Sequence, residues 1–136
     1  MSEPCSAPLP GPFLLEVFLS NRCNMDCSYC TSRYVIHEKE EKTLTFDQLK
    51  QAVDVISPQS RDKYIQGKFN GQVRICFTGG EPLLEFELLK EAISHIRKKE
   101  SDFEIEVVTN GTLLTENKMD FFARNNVEIC LRLDGR

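Results

Sequence analysis

Residues 13–30 read FLLEVFLSNRCNMDCSYC, and the fold is read outward from this stretch. Its first part, Phe13 to Leu19, is a near-continuous apolar run, as expected of a parallel strand buried on both faces. Its second part places Cys23, Cys27 and Cys30 at C-x3-C-x2-C spacing on the loop that follows. Three thiolates on one short loop can reach three corners of one compact inorganic cluster. Iron–sulfur clusters are held by cysteine thiolates, normally four. With three supplied locally, a cubane would keep one iron open, and open coordination marks a reactive metal site. Two other readings stand beside this one. The cysteines could cluster by chance, or they could bind zinc with His37 or Cys5 as fourth ligand. Zinc sites favour paired C-x2–4-C units, and the sequence has no second pair.

Downstream, strands and helices alternate. Thr45 and Gln48 form a capping box, and Leu44 and Leu49 occupy hydrophobic-staple positions. Phe46, Leu49, Val53 and Ile56 repeat at helical spacing until Ser57-Pro58 stops the helix. Val73–Phe77 reads as a second strand. Leu88, Leu89, Ala92, Ile93 and Ile96 mark a second helix, and Arg97-Lys98-Lys99 suits its C-terminal dipole. Phe103–Val108 is a third strand. A third helix starts at Thr115, with Leu114 and Met119 at staple positions, and ends near Asn125-Asn126. Val127–Leu133 is a fourth strand. The order β-α-β-α-β-α-β predicts an α/β fold with a parallel sheet and right-handed crossovers. A GxGxxG after the first strand is absent and cysteines stand in its place, which argues against a dinucleotide fold.

Composition narrows the function classes. The chain has 136 residues, about one domain's worth, with 40% hydrophobic residues. A net charge of −4 offers no basic footprint for nucleic acid. No apolar run approaches the ~18 residues of a membrane span. The N-terminal MSEPCSAPLPGP lacks a charged region and an apolar segment, so it does not read as a signal peptide. Residues 1–12 hold four of the six prolines and read as an extended leader before a domain over 13–136. The charge run at 37–42 reads as solvated surface.

Four motifs recur at strand ends. These are the cysteine loop, Thr78-Gly79-Gly80-Glu81-Pro82, Thr109-Asn110-Gly111-Thr112 and Leu133-Asp134-Gly135. In this wording and order the sequence resembles the radical S-adenosylmethionine (SAM) superfamily. It is most similar to enzymes with a C-terminal SPASM or twitch extension, such as anaerobic sulfatase-maturating enzymes and peptide maturases. The resemblance implies that Cys23, Cys27 and Cys30 bind a [4Fe-4S] cluster whose fourth iron takes the methionyl amino and carboxylate groups of SAM. Reductive cleavage would give a 5′-deoxyadenosyl radical that abstracts a substrate hydrogen. It also places Tyr29 near the adenine. Gly79 and Gly80 would let the backbone approach the methionyl group, because no Cβ intervenes. Glu81 would accept from the SAM ammonium. Thr109, Asn110 and Asp134 would face the same mouth.

One departure stands out: Arg132 precedes Leu133-Asp134-Gly135 where the family commonly has serine. Strand parity puts Glu128, Cys130, Arg132 and Asp134 inward, with Val127, Ile129, Leu131 and Leu133 toward the helices. Arg132 is expected to pair with the SAM carboxylate or with Asp134; an arginine satisfying an interior glutamate such as Glu128 is the alternative. Cys76 and Cys130 read as inward-facing core thiols, Cys5 as uninvolved and His95 as a surface residue.

The resemblance further implies the first four strands and three helices of a partial (β/α)6 barrel similar to a TIM barrel. Its catalytic groups would lie at the C-terminal strand ends. Later strands and an auxiliary-cluster extension would lie in a longer enzyme, of which this chain is read as the N-terminal portion. A peptide or protein substrate and a reductant such as flavodoxin or ferredoxin are the expected partners, in a reducing cytoplasm. A non-catalytic iron–sulfur or zinc-binding module is the competing reading.

Overall fold

The structure is a computed structural model that describes residues 13–30, 32, 40–57, 72–100 and 102–133. Four strands form one parallel sheet in the order β1-β2-β3-β4: β1 Phe13–Phe18, β2 Val73–Thr78, β3 Glu104–Thr109 and β4 Val127–Leu131. Three helices connect them: α1 Phe46–Ile56, α2 Phe86–Lys99 and α3 Glu116–Arg124. This is the α/β architecture that the alternation of apolar periods predicts.

The helix boundaries follow from local chemistry. Thr45 caps α1 by accepting from the Gln48 N–H, and the Gln48 side chain accepts from the Thr45 N–H in return, closing the capping box. The second connection is more elaborate than its periodicity suggests. A short 3-10 turn, Pro82–Glu85, precedes α2. Pro82 suits that first turn because its missing N–H would have no helical partner there. Arg97 does not serve its own helix end, as its position suggests. Its guanidinium donates to the carbonyls of Asn125 (2.7 Å), Asn126 (2.9 Å) and Phe103 (2.6 Å), tying the end of α3 to the start of β3. Asn126, at φ 50°, takes the left-handed conformation that often closes a helix.

The core lies on one face of the sheet. Val17, Ile75, Phe77, Ile105 and Val107 meet Leu49, Val53, Ile93, Ile96 and Phe122 from the helices. The opposite face carries a row in register across all four strands: Glu16, Cys76, Glu106 and Glu128. Arg74 lies one step below and bonds Glu104 at 2.8 Å, with Glu128 at 3.7 Å. Glu128, expected as an interior glutamate, is 70% exposed and has Arg74 as its neighbouring cation, not Arg132.

Two expectations about side chains are corrected. Leu131 and Leu133 do not pack on the helices; they are 45% and 76% exposed. β4 is an edge strand, and only Val127 and Ile129 in its first half reach the core. Met119 at the expected staple position is likewise 52% exposed, although Thr115 does cap α3 by accepting from the Lys118 N–H.

Candidate functional site

All the described motifs emerge at the C-terminal ends of the strands. There the segment after β1 continues alongside the turn after β2. The Leu19 N–H donates to the Thr78 carbonyl at 3.0 Å, the Gly80 N–H to Ser20 at 2.9 Å and the Glu81 N–H to Arg22 at 2.7 Å. This close seam explains the two glycines. Gly79 has φ +133°, and a Cβ there would sit 2.7 Å from the Ser20 carbonyl oxygen. A Cβ on Gly80 would lie 1.9 Å from the Arg22 carbonyl oxygen, well inside contact distance. The backbone that these glycines admit is thus the chain entering the cysteine loop, an approach that the sequence does not announce.

The entry to that loop is clipped from its other side too. Asn21, buried, donates from Nδ2 to the Glu40 carbonyl (2.8 Å) and accepts at Oδ1 from the Lys42 N–H (2.7 Å). Arg22 pairs with Glu85 at 3.0 Å, on the turn that opens α2. Within the loop the Cys30 N–H donates to the Cys27 carbonyl at 3.1 Å, a tight turn that places Cys27 and Cys30 together. Burial pushes the Cys23 thiol up, the Met25 N–H opposes this by donating to it, and the Glu81 carboxylate adds to the rise.

Glu81 is 1% exposed, and its carboxylate is the junction between motifs. Oε1 accepts from the Leu83 N–H (3.0 Å) and the Thr109 hydroxyl (2.6 Å); Oε2 accepts from the Asn110 N–H (2.9 Å). A buried carboxylate is tolerated where such donors replace its water. Thr109 and Asn110 therefore reach the mouth by holding Glu81. Asn110 extends the network: its Nδ2 donates to Asn24 Oδ1 at 3.0 Å, in the cysteine loop.

These elements enclose one open cavity of about 520 Å³, within the roughly 300–1,000 Å³ range of small-molecule sites. Cys23, Cys27 and Cys30 line it together, with Gly79, Gly80 and Glu81 and with Thr109 and Asn110 on the neighbouring loops. Tyr29, 60% exposed, and Arg132 line it as well. The Arg132 backbone N–H donates to the Thr109 carbonyl at 2.9 Å, and its side chain makes no ion pair among the described residues. Asp134 lies outside the described residues, as do His37 and Cys5 of the zinc alternative. Among the described residues no three metal-ligating side chains converge as a single ion requires. A cluster asks for a different arrangement, because it spreads its thiolates over separate irons. Three free thiols on one loop, opening into a cavity of this size, fit such a group.

The remaining candidates separate. Cys76 is buried on the inward face with its thiol pushed up to about 11, by desolvation first and then by Glu106 and Glu16. Cys130 faces inward but is only half-buried. His95, expected at the surface, is half-buried: its side chain is 22% exposed, its ring meets Phe46 edge-on at 5.9 Å, and its Nε2 lies 4.0 Å from Asp54 with no hydrogen-bond partner among the described residues. Its place on the α1-facing side of α2 puts it there. Asn21, Asn24 and Arg22 are site residues that the sequence reading missed, and Thr112, quoted in the motif after β3, carried no assigned role there. Their only signal is polarity concentrated beside the first cysteine and after Asn110.

Comparison with known proteins gives this geometry a context. The profile of the radical SAM superfamily matches residues 17–135. The cysteine-type anaerobic sulfatase-maturating enzyme of Clostridium novyi is 27% identical over 123 residues, covering 85% of this chain and 30% of that protein. The GTP 3′,8-cyclase of Aquifex aeolicus is 34% identical over 105 residues, covering 76% of this chain and 29% of that one. The solved structure of BtrN in complex with AdoMet and 2-DOIA superposes with a TM-score of 0.67 at 21% identity, over 88% of this chain and 45% of that chain. The chain thus spans less than half the length of these relatives.

Proposed function

The chain belongs to the radical SAM superfamily, and from that premise we propose that it binds a [4Fe-4S] cluster through Cys23, Cys27 and Cys30 and takes SAM in the adjoining cavity. The single observation that carries this reading is the shared lining: three thiols of one loop face the same space as Gly79–Glu81 and Thr109–Asn110. When bound, the pair supplies a one-electron reductive cleavage of the sulfonium to a 5′-deoxyadenosyl radical, which abstracts a substrate hydrogen.

The chain's own residues do the holding and the shaping. Glu81 keeps one Oε2 lone pair beyond its three donors, and that atom is the acceptor for an ammonium group. Arg132 offers at the rim a guanidinium with no ion pair among the described residues, suited to a carboxylate. Tyr29 presents an exposed ring for the purine. The Thr109 hydroxyl keeps Glu81 in place and accepts from the Gly111 N–H.

The proposed substrate class is a peptide or protein side chain, on the likeness to the sulfatase-maturating enzyme. The proposed electron donor is a flavodoxin or ferredoxin, and the proposed setting is a reducing cytoplasm. No nucleic-acid partner is proposed, given the acidic balance of −4. No described helix is long and apolar enough to cross a membrane. A non-catalytic iron–sulfur or zinc module is the second reading. Anaerobic reconstitution with iron and sulfide decides between them. An EPR spectrum of the reduced cluster that shifts on adding SAM, with 5′-deoxyadenosine released, supports the enzyme. Stoichiometric zinc and no response to SAM overturns it.

A further inference from the structure

Asn24 stands between the first two cysteines of the loop, and its side chain bonds to a loop 86 and 88 positions away. Its Nδ2 donates to Thr112 Oγ1 at 2.8 Å. Thr112 Oγ1 donates in turn to Asn110 Oδ1 at 2.7 Å, and Asn110 Nδ2 donates to Asn24 Oδ1 at 3.0 Å. The three bonds form a closed ring in which each group gives one proton and accepts one. That circuit fixes the orientation of both amides, because turning either one would oppose donor to donor and acceptor to acceptor. The Thr112 N–H adds a fourth bond to Asn110 Oδ1 at 3.0 Å.

The ring does not stand alone. The backbone N–H of Asn110 donates to the buried Glu81 carboxylate. One residue therefore reaches Glu81 with its backbone and the cysteine loop with its side chain. A displacement of the loop at Asn24 would pull on the same strand end that holds Glu81.

We propose that Asn24 is a positioning residue: through Asn110 and Thr112 it holds the cysteine loop in register with the loop after β3, so that the cluster and the SAM pocket keep one relative geometry. The consequence for SAM rests on the functional reading above, whereas the coupling between the two loops does not.

The test uses Thr112→Val, which deletes the ring's hydroxyl, Thr112→Ser, which keeps it, and Asn24→Ala. Hydrogen exchange of the metal-free chain reads the coupling. Thr112→Val should speed exchange at residues 23–30 about fivefold, the weight of roughly one net hydrogen bond, and Thr112→Ser should restore it. Because the ring is one unit, Asn24→Ala with Thr112→Val should do little more than either alone. On the reconstituted chain, the SAM concentration that half-shifts the EPR spectrum should rise about fivefold in Thr112→Val, at unchanged iron content, and recover in Thr112→Ser. Unchanged exchange at 23–30 overturns the proposal. Faster exchange with an unmoved SAM titration overturns the positioning role and leaves a structural tie only. Faster exchange in a chain whose wild-type cluster ignores SAM upholds the coupling and sinks the radical SAM reading instead.

Discussion

Replacing Gly80 by alanine asks which neighbour the glycine serves. A Cβ at this position would fall 1.9 Å from the Arg22 carbonyl oxygen and 3.1 Å from the Cys23 nitrogen. Both are backbone atoms, so no rotamer change relieves the clash. The seam has to open by more than an ångström, which breaks the Glu81-to-Arg22 bond (2.7 Å) and strains the Gly80-to-Ser20 bond (2.9 Å). Overpacking of this kind costs about 1–3 kcal/mol, and two backbone hydrogen bonds add roughly 1 kcal/mol each. The expected loss is about 3–5 kcal/mol, a large part of the roughly 5–15 kcal/mol that holds a domain together. Urea unfolding of the Gly80→Ala chain should therefore show a midpoint lowered by roughly 2 M, at a slope near 2 kcal/mol per M.

Gly111→Ala is the control. Unlike Gly80 it has positive φ, +80°, but its Cβ would press on Leu131 Cδ2 at 2.9 Å, the end of an exposed side chain that can swing away, with Leu114 Cδ1 in ordinary contact at 3.9 Å. Its cost should stay near the 1–2 kcal/mol of a left-handed backbone. If Gly80→Ala unfolds at the wild-type midpoint and loses only affinity for SAM, the seam is irrelevant. The glycine would then serve the ligand alone.

Three further outcomes follow from the same geometry. Glu81→Gln puts an amide N–H₂ against at least one of the donors from Leu83, Thr109 and Asn110, and should lower stability by about 2–3 kcal/mol in the same assay, as expected for charge-assisted bonds; an unchanged midpoint would contradict the assigned network. Cys76, with its thiol raised to about 11, should stay unmodified by iodoacetamide at pH 8, because the thiolate is the nucleophile. Its rate should climb only as pH approaches 11, and mass-spectrometric mapping that finds Cys76 among the fast sites would refute its burial. Thr45→Ala removes the α1 cap and should cost about 1 kcal/mol, read as a small shift in the urea midpoint; no shift would mean that the helix end is held by its packing alone.

Much of this protein is legible in its one-dimensional order. The alternation of apolar periods determines the βαβαβαβ sequence, because a strand and a helix bury residues at different intervals. Cap chemistry at Thr45 and Thr115 sets two helix starts, since the orphan N–H groups must be met locally. The spacing of Cys23, Cys27 and Cys30 marks the site, as ligands on one loop are neighbours by connectivity.

What only the tertiary structure decided concerns residues far apart in the chain. The Gly79-Gly80 pair looks like an opening for a ligand, yet the close approach there belongs to the backbone of Ser20 and Arg22. Glu81 reads as a free acceptor and proves to be a buried junction for Leu83, Thr109 and Asn110. Parity along β4 predicts Leu131 on the core, but parity assigns a face and says nothing of whether that face is covered. On an edge strand it is not. His95 likewise reads as surface and is drawn under Phe46 by the packing of α1 on α2. Asn24 gave no signal of its own, because its meaning lies in partners 86 and 88 positions away. Local sequence determines elements, caps and adjacent ligands; which side chains meet across the mouth depends on the parallel register of four strands, and that register exists only in the folded sheet.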